Sequence, residues 1–138
     1  GGDTLDSNMV LEAAAGSDVQ LYVSTFYQEG GSPEFDEGFK AWLSEDSTAM
    51  TNNGGNDTIA AVTAMGYDAY YVALEALKAA GSTDKAAVKA ALPDVTYTGV
   101  SGSIAFDEQG DAIRDTAYIK TADTANNAWT LETVQTVE

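Results

Sequence analysis

Hydrophobic and polar positions follow two different periods along the chain. Over residues 19–25, Val19, Leu21 and Val23 alternate with Gln20, Tyr22 and Ser24, a period of two in β-forming residues that predicts a strand. From Phe35 onward the period lengthens. Phe35, Phe39, Trp42 and Leu43 fall at i, i+4, i+7 and i+8, which predicts one buried stripe on a helix capped by Ser32 and started by Pro33. The longest helical pattern begins at Asp57 or Thr58 and runs to Ala80, with Ile59, Val62, Met65, Tyr70, Leu74 and Leu77 on one wide face. Its alanines allow close approach by neighbours, and Gly81 stops it. A shorter helix is expected over 85–92, ended by Pro93.

Before these elements, residues 1–6 read as a strand end and loop, and Asp6, Ser7 and Asn8 offer caps for a short helix over 9–15 closed by Gly16. After them the character turns to β. A short strand is expected at 103–106, a turn at 107–111, and two alternating strands at 116–121 and 129–134 around a hairpin loop at 123–127. Residues 51–56 are polar and glycine-bearing, the clearest linker in the chain. The sequence of elements predicts an α/β fold with mixed strand direction.

Charge narrows the classes of partner. The 138 residues include 22 acidic and 6 basic ones, a formal charge of -16. Such a surface repels nucleic-acid backbones and anionic lipid headgroups, so neither is expected as a partner. Cysteine and histidine are absent and Arg114 is the only arginine, which removes the commonest general base and the best nucleophile. No enzyme, cofactor or metal site is expected. Asp107, Glu108 and Asp111 cluster, yet they lack the spacing of a calcium loop and read as a solvated turn. No apolar run reaches the roughly 18 residues of a membrane span. The first residues lack the basic and apolar regions of a signal peptide, so a leader has been removed or the chain begins inside a longer protein.

Several segments, in order, resemble the carboxyl-terminal part of the branched-chain amino-acid (leucine/isoleucine/valine) binding proteins, the type I periplasmic binding proteins of ABC importers. They are Gly1-Gly2-Asp3-Thr4 with Asp6-Ser7 after it, and the strand from Leu21 to Thr25 leading into aromatics. Gly66-Tyr67-Asp68-Ala69 follows inside the long helix, with Ala79-Ala80-Gly81-Ser82-Thr83-Asp84 at its end. The run from Tyr97 through Gly102 to Phe106 and Asp111 completes the set.

The resemblance implies an incomplete type I periplasmic-binding-protein fold, with pieces of two Rossmann-like lobes and a mixed sheet. Residues 1–50 would belong to the second lobe, 51–113 to the first and 114–138 to a second-lobe hairpin, with hinge crossings near 52–56 and 112–116. It implies an extracytoplasmic solute-binding component, in the periplasm or on the cell surface as a lipoprotein, that delivers an amino acid to an ABC permease. The partners implied are that solute, the permease and the missing amino-terminal portion. An isolated piece of such a fold is expected to be unstable, or to dimerise by exchanging elements across its crossing segments. Two other readings stay open: a ligand-sensing receptor module of the same fold, and a small autonomous interaction domain with no small-molecule ligand.

The resemblance also implies ligand-binding residues. Asp3 would meet the ammonium of an amino acid, Phe26 and Tyr27 would wall the cleft, and Val62 would place an apolar side chain against the ligand. Each has a plainer alternative. Asp3 suits an Asx-turn, aromatics after a strand suit core packing, and Val62 suits helix core. Tyr67 and Asp68 are expected to be structural.

Overall fold

The structure, a computed structural model, describes residues 1–136. A 3-10 turn at Asp3–Leu5 leads into α1 (Asn8–Ala14), then β1 (Tyr22–Thr25), α2 (Pro33–Glu45), α3 (Ser47–Asn52) and α4 (Ala61–Ala80). There follow α5 (Lys85–Ala91), a 3-10 turn at Leu92–Asp94, β2 (Tyr97–Gly99), β3 (Gly102–Phe106), β4 (Ala112–Ile113), β5 (Thr116–Asp123) and β6 (Ala128–Thr136).

Local chemistry sets most of the boundaries. Ser7 caps α1 by accepting from the Val10 amide, and Pro33 opens α2 where its missing N–H costs nothing. Asp46 serves twice: it ends α2, and its carboxylate accepts the Thr48 and Ala49 amides at 2.9 Å to start α3. That side chain turns the first residues of the expected linker into helix, leaving residues 53–56 as the turn. Gly81, in the left-handed region at φ 57°, ends α4, and Asp84 caps α5.

The strands form two three-stranded sheets, one ordered β1-β5-β6 and the other β2-β3-β4. Every ladder among the described residues is antiparallel, where mixed direction was expected. Short hairpins join β2 to β3, β3 to β4 and β5 to β6, and a short connection permits only antiparallel pairing. A trace of the other direction survives on the free edge of β1. There the Gly1 amine donates to the Tyr22 carbonyl at 2.6 Å and the Gly1 carbonyl accepts from the Ser24 amide at 2.9 Å, the bonding of a parallel neighbour.

Two small cores hold the layers together. Tyr27, Ile59, Ala61 and Ala64 form one, with Phe35, Phe39 and Val100 packed against it. Val72, Ala76, Val95 and Ile104 form the other, with Val88, Leu92, Tyr97 and Phe106 against it. Both run along α4, whose buried stripe is Ala61, Ala64, Asp68, Val72 and Ala76. The face expected from the larger apolar side chains is therefore displaced, and Val62 and Tyr70 are exposed. Small residues decide the matter, because the turns and strands approach α4 most closely where there is least side chain. On α2 the buried face runs through Asp36 and Leu43, so Trp42 lies on the flank of the expected stripe and is exposed.

Candidate functional site

The site is organised by Asp6, a carboxylate that follows the amino-terminal 3-10 turn and is almost wholly buried. One oxygen, Oδ2, gathers three distant segments. It accepts from Lys120 Nζ on β5 at 2.8 Å, from the Ala61 amide at the start of α4 at 3.2 Å, and from Thr25 Oγ1 at the end of β1 at 3.4 Å. Each partner has a reason to be there. The Ala61 amide is one of the unpaired donors of a helix amino terminus, which favours a negative charge. Lys120 sits opposite Val23 in the β1–β5 ladder, and the β5–β6 register shifts beside it, between Ile119 and Lys120. Such a bulge re-aims side chains at a strand's margin. Both charged side chains are nearly closed to solvent, 3% exposed for Lys120 and 2% for Asp6, so each depends on the other for compensation.

Two of the four expected ligand-binding residues adjoin groups this carboxylate fixes, and a third precedes Asp6 itself. Asp3 lies in the turn before Asp6, Phe26 follows Thr25, and Val62 follows Ala61. Asp3 is half-buried; its carbonyl accepts the Asp6 amide, while its carboxylate has no hydrogen-bond or ion-pair partner among the described residues. Val62 is 54% exposed, so it is not helix core. Phe26 is half-buried beneath the Arg114 guanidinium, whose carbon stands 5.7 Å from the ring centroid.

Tyr27 packs in the core, apart from these three. It is 1% exposed, donates to Asp36 Oδ1 at 2.6 Å, and accepts from the Ser32 amide at 3.1 Å. Burial and the adjacent Asp36 carboxylate push its ionisation well above the ordinary tyrosine range. The alternation of β1, in which Val23 and Thr25 are buried, continues past the strand and turns Tyr27 inward.

A second buried carboxylate supports the other side of α4. Asp68 is completely enclosed and accepts from the Val100 amide at 2.9 Å, the Ser101 amide at 2.8 Å and Ser101 Oγ. Arg114 then grips the same serine, donating from Nη1 to its carbonyl at 2.7 Å and from Nη2 to its Oγ at 3.0 Å. Asp68 is structural, as expected. Asp107 likewise spends its Oδ1 on the Gln109 and Asp111 amides, closing the turn between β3 and β4. An open hollow of about 680 Å³ lies between α2 and α4, lined by Phe35, Phe39, Trp42 and Tyr67 among others. None of Asp3, Phe26 or Val62 lines it.

Sequence reasoning placed the neighbours of Asp6 without identifying Asp6 or Lys120 as their organiser. The signal available was Lys120 itself, a cation in the middle of an otherwise alternating strand within a chain of few cations.

Among the described residues no helix is long and apolar enough to cross a membrane. No curated protein matches the chain. Among solved structures, a leucine-binding protein, LivK, from Thermotoga maritima matches with 28% identity and a TM-score of 0.73, covering 98% of this chain and 36% of that one. A solute-binding protein of an ABC transporter from R. palustris, in complex with benzoate, shares the fold at 13% identity and a TM-score of 0.62, covering 93% of this chain and 34% of that one. The chain thus spans about a third of the length of these structures. The periplasmic binding protein family matches residues 2–127, nearly the whole chain, and this match shows that the chain belongs to that family.

Proposed function

We propose that the chain is part of an extracytoplasmic solute-binding component of an ABC importer, one that captures an amino acid between two closing lobes and passes it to a membrane permease. The observation that carries this reading is the unengaged Asp3 carboxylate, held close in sequence to Asp6, whose own contacts fix the neighbours of Phe26 and Val62. A half-buried carboxylate on a turn that packs against β1 and α4 suits a ligand with an ammonium group, and Phe26 and Val62 would offer apolar surface to its tail. The charge-assisted hydrogen bond supplies strength and the apolar contacts supply selectivity.

On this reading residues 1–50 and 114–138 belong to one lobe and 51–113 to the other, with crossings near 52–56 and 112–116. The ligand selects the closed arrangement because it touches both lobes only there. The chain acts as a binder and not as a catalyst, outside the cytoplasm, either free in the periplasm or anchored as a lipoprotein. The remaining portion of the protein supplies the rest of the pocket.

The test is a calorimetric titration of the complete protein carrying this chain against the common amino acids, repeated with Asp3→Ala. Tight binding of one or a few amino acids is expected. The variant should lose that binding by about a hundredfold or more while unfolding at an unchanged temperature. Unaltered affinity in the variant would remove Asp3 from the site, and silence of the parent protein across the panel would exclude amino acids as the solute.

A further inference from the structure

Arg114 is the only arginine in a chain with 22 acidic residues, and among the described residues it forms no ion pair. Its planar fork is spent on neutral groups: the carbonyl and hydroxyl of Ser101 on one side and the face of Phe26 on the other. Lysine, a point charge on a flexible stem, could not make these contacts together.

The two ends of the clasp differ in stiffness. Ser101 is fixed from behind by Asp68, which takes both its amide and its hydroxyl, so the turn at residues 99–102 and α4 move as one body. Phe26 is reached by a single contact to its ring, and the segment it belongs to is β1, tied into the other sheet through β5. Two hydrogen bonds at 2.7 and 3.0 Å outweigh one guanidinium–ring contact at 5.7 Å on a half-buried ring. Arg114 thereby fixes the Phe26 ring against the turn that Asp68 holds on α4.

The geometry points to Arg114 as a positioning residue for the solute site: it clasps the Phe26 ring while its fork holds the Ser101 turn. This rests on the solute-binding reading given above, and it adds a residue that sets where Phe26 stands in that site.

The experiment compares Arg114→Ala, Phe26→Leu, Phe26→Trp and the Arg114→Ala/Phe26→Leu pair in the complete protein. Calorimetry should show each of the first two weakening the solute by about three- to tenfold, and the pair no weaker than the worse single change, because they remove one shared contact. Phe26→Trp keeps a ring face and should restore near-parent affinity. Losses that multiply in the pair, or equal losses in Phe26→Leu and Phe26→Trp, would overturn the clasp.

A second readout needs no solute. The Nε–H resonance of Arg114, identified by its disappearance in Arg114→Lys, should shift in Phe26→Leu, and an unmoved resonance would overturn the clasp. If that resonance shifts but the parent protein binds nothing in the amino-acid panel, the contact stands and the choice of amino acids as solute fails separately.

Discussion

Gly99 and Asp68 meet with no room for a side chain between them: a β-carbon on Gly99 would lie 2.1 Å from Asp68 Oδ1. The obstruction is a buried carboxylate engaged in three hydrogen bonds, so it cannot swing aside as the tip of a surface chain would. Gly99→Ala should destabilise the protein by about 3 kcal/mol, the combined cost of overpacking and of buried hydrogen bonds lost. Gly99→Ala combined with Asp68→Ala should cost less than the sum of the two single changes, since the second removes what the first collides with. Denaturant midpoints decide the point, and simple additivity would mean that the two residues do not compete for the same space.

Among the described residues Lys120 is the only cation on the buried Asp6 carboxylate. Lys120→Met should therefore destabilise by about 3–5 kcal/mol, because it strands a charge in the interior. Pairing it with Asp6→Asn, which keeps an acceptor for the Ala61 amide and Thr25, should recover much of that loss. Urea denaturation of the two variants measures the difference. Equal losses in the single and paired variants would show that the ammonium serves only as packing.

Tyr27 makes stability depend on alkaline pH in a stated direction. Its hydroxyl ionises at a higher pH in the folded protein than the ordinary value of 10.0, because burial and Asp36 disfavour the phenolate. The stabilisation it gives is fully present below the unfolded value and is lost as pH rises towards the folded one. At neutral pH Tyr27→Phe should cost about 1–3 kcal/mol, the loss of a hydrogen bond to a charged partner. Above about pH 10 the gap between parent and variant should narrow, since only the parent's unfolded state gains by ionising this phenol. A gap that stays constant through that range would show the hydroxyl to be solvated.

What could be read along the chain was whatever residues decide with their immediate neighbours. Ser7, Pro33, Gly81 and Asp84 mark helix ends by local chemistry, and the hairpin between β5 and β6 lies where turn residues interrupt an alternating pattern. The helix α3 escaped notice because its start depends on one side chain, Asp46, in a segment whose composition reads as linker. Strand β2 is three residues long and owes its pairing to β3. The expected face of α4 erred because hydrophobicity alone does not say where a neighbour comes closest; alanines do.

The site divides along the same line. Asp3, Phe26 and Val62 stand out through their resemblance to a family pattern, and Tyr27 follows β1's alternation into the core. The partnerships of Asp6 with Lys120, of Asp68 with Ser101 and of Arg114 with Phe26 span 114, 33 and 88 positions of chain. No local pattern announces them, because their energy lies in compensating a charge or facing a ring that only the folded chain brings near.

The distance along the chain between Asp6 and Lys120 also sets an order of events. Asp6 leaves the ribosome more than a hundred positions before Lys120, so the segment from Asp6 through α4 exists for a time with its organising carboxylate uncompensated. During that interval the corner where Thr25 and Ala61 meet lacks its counter-ion, and local contacts alone cannot close it. Completion awaits the carboxyl-terminal hairpin.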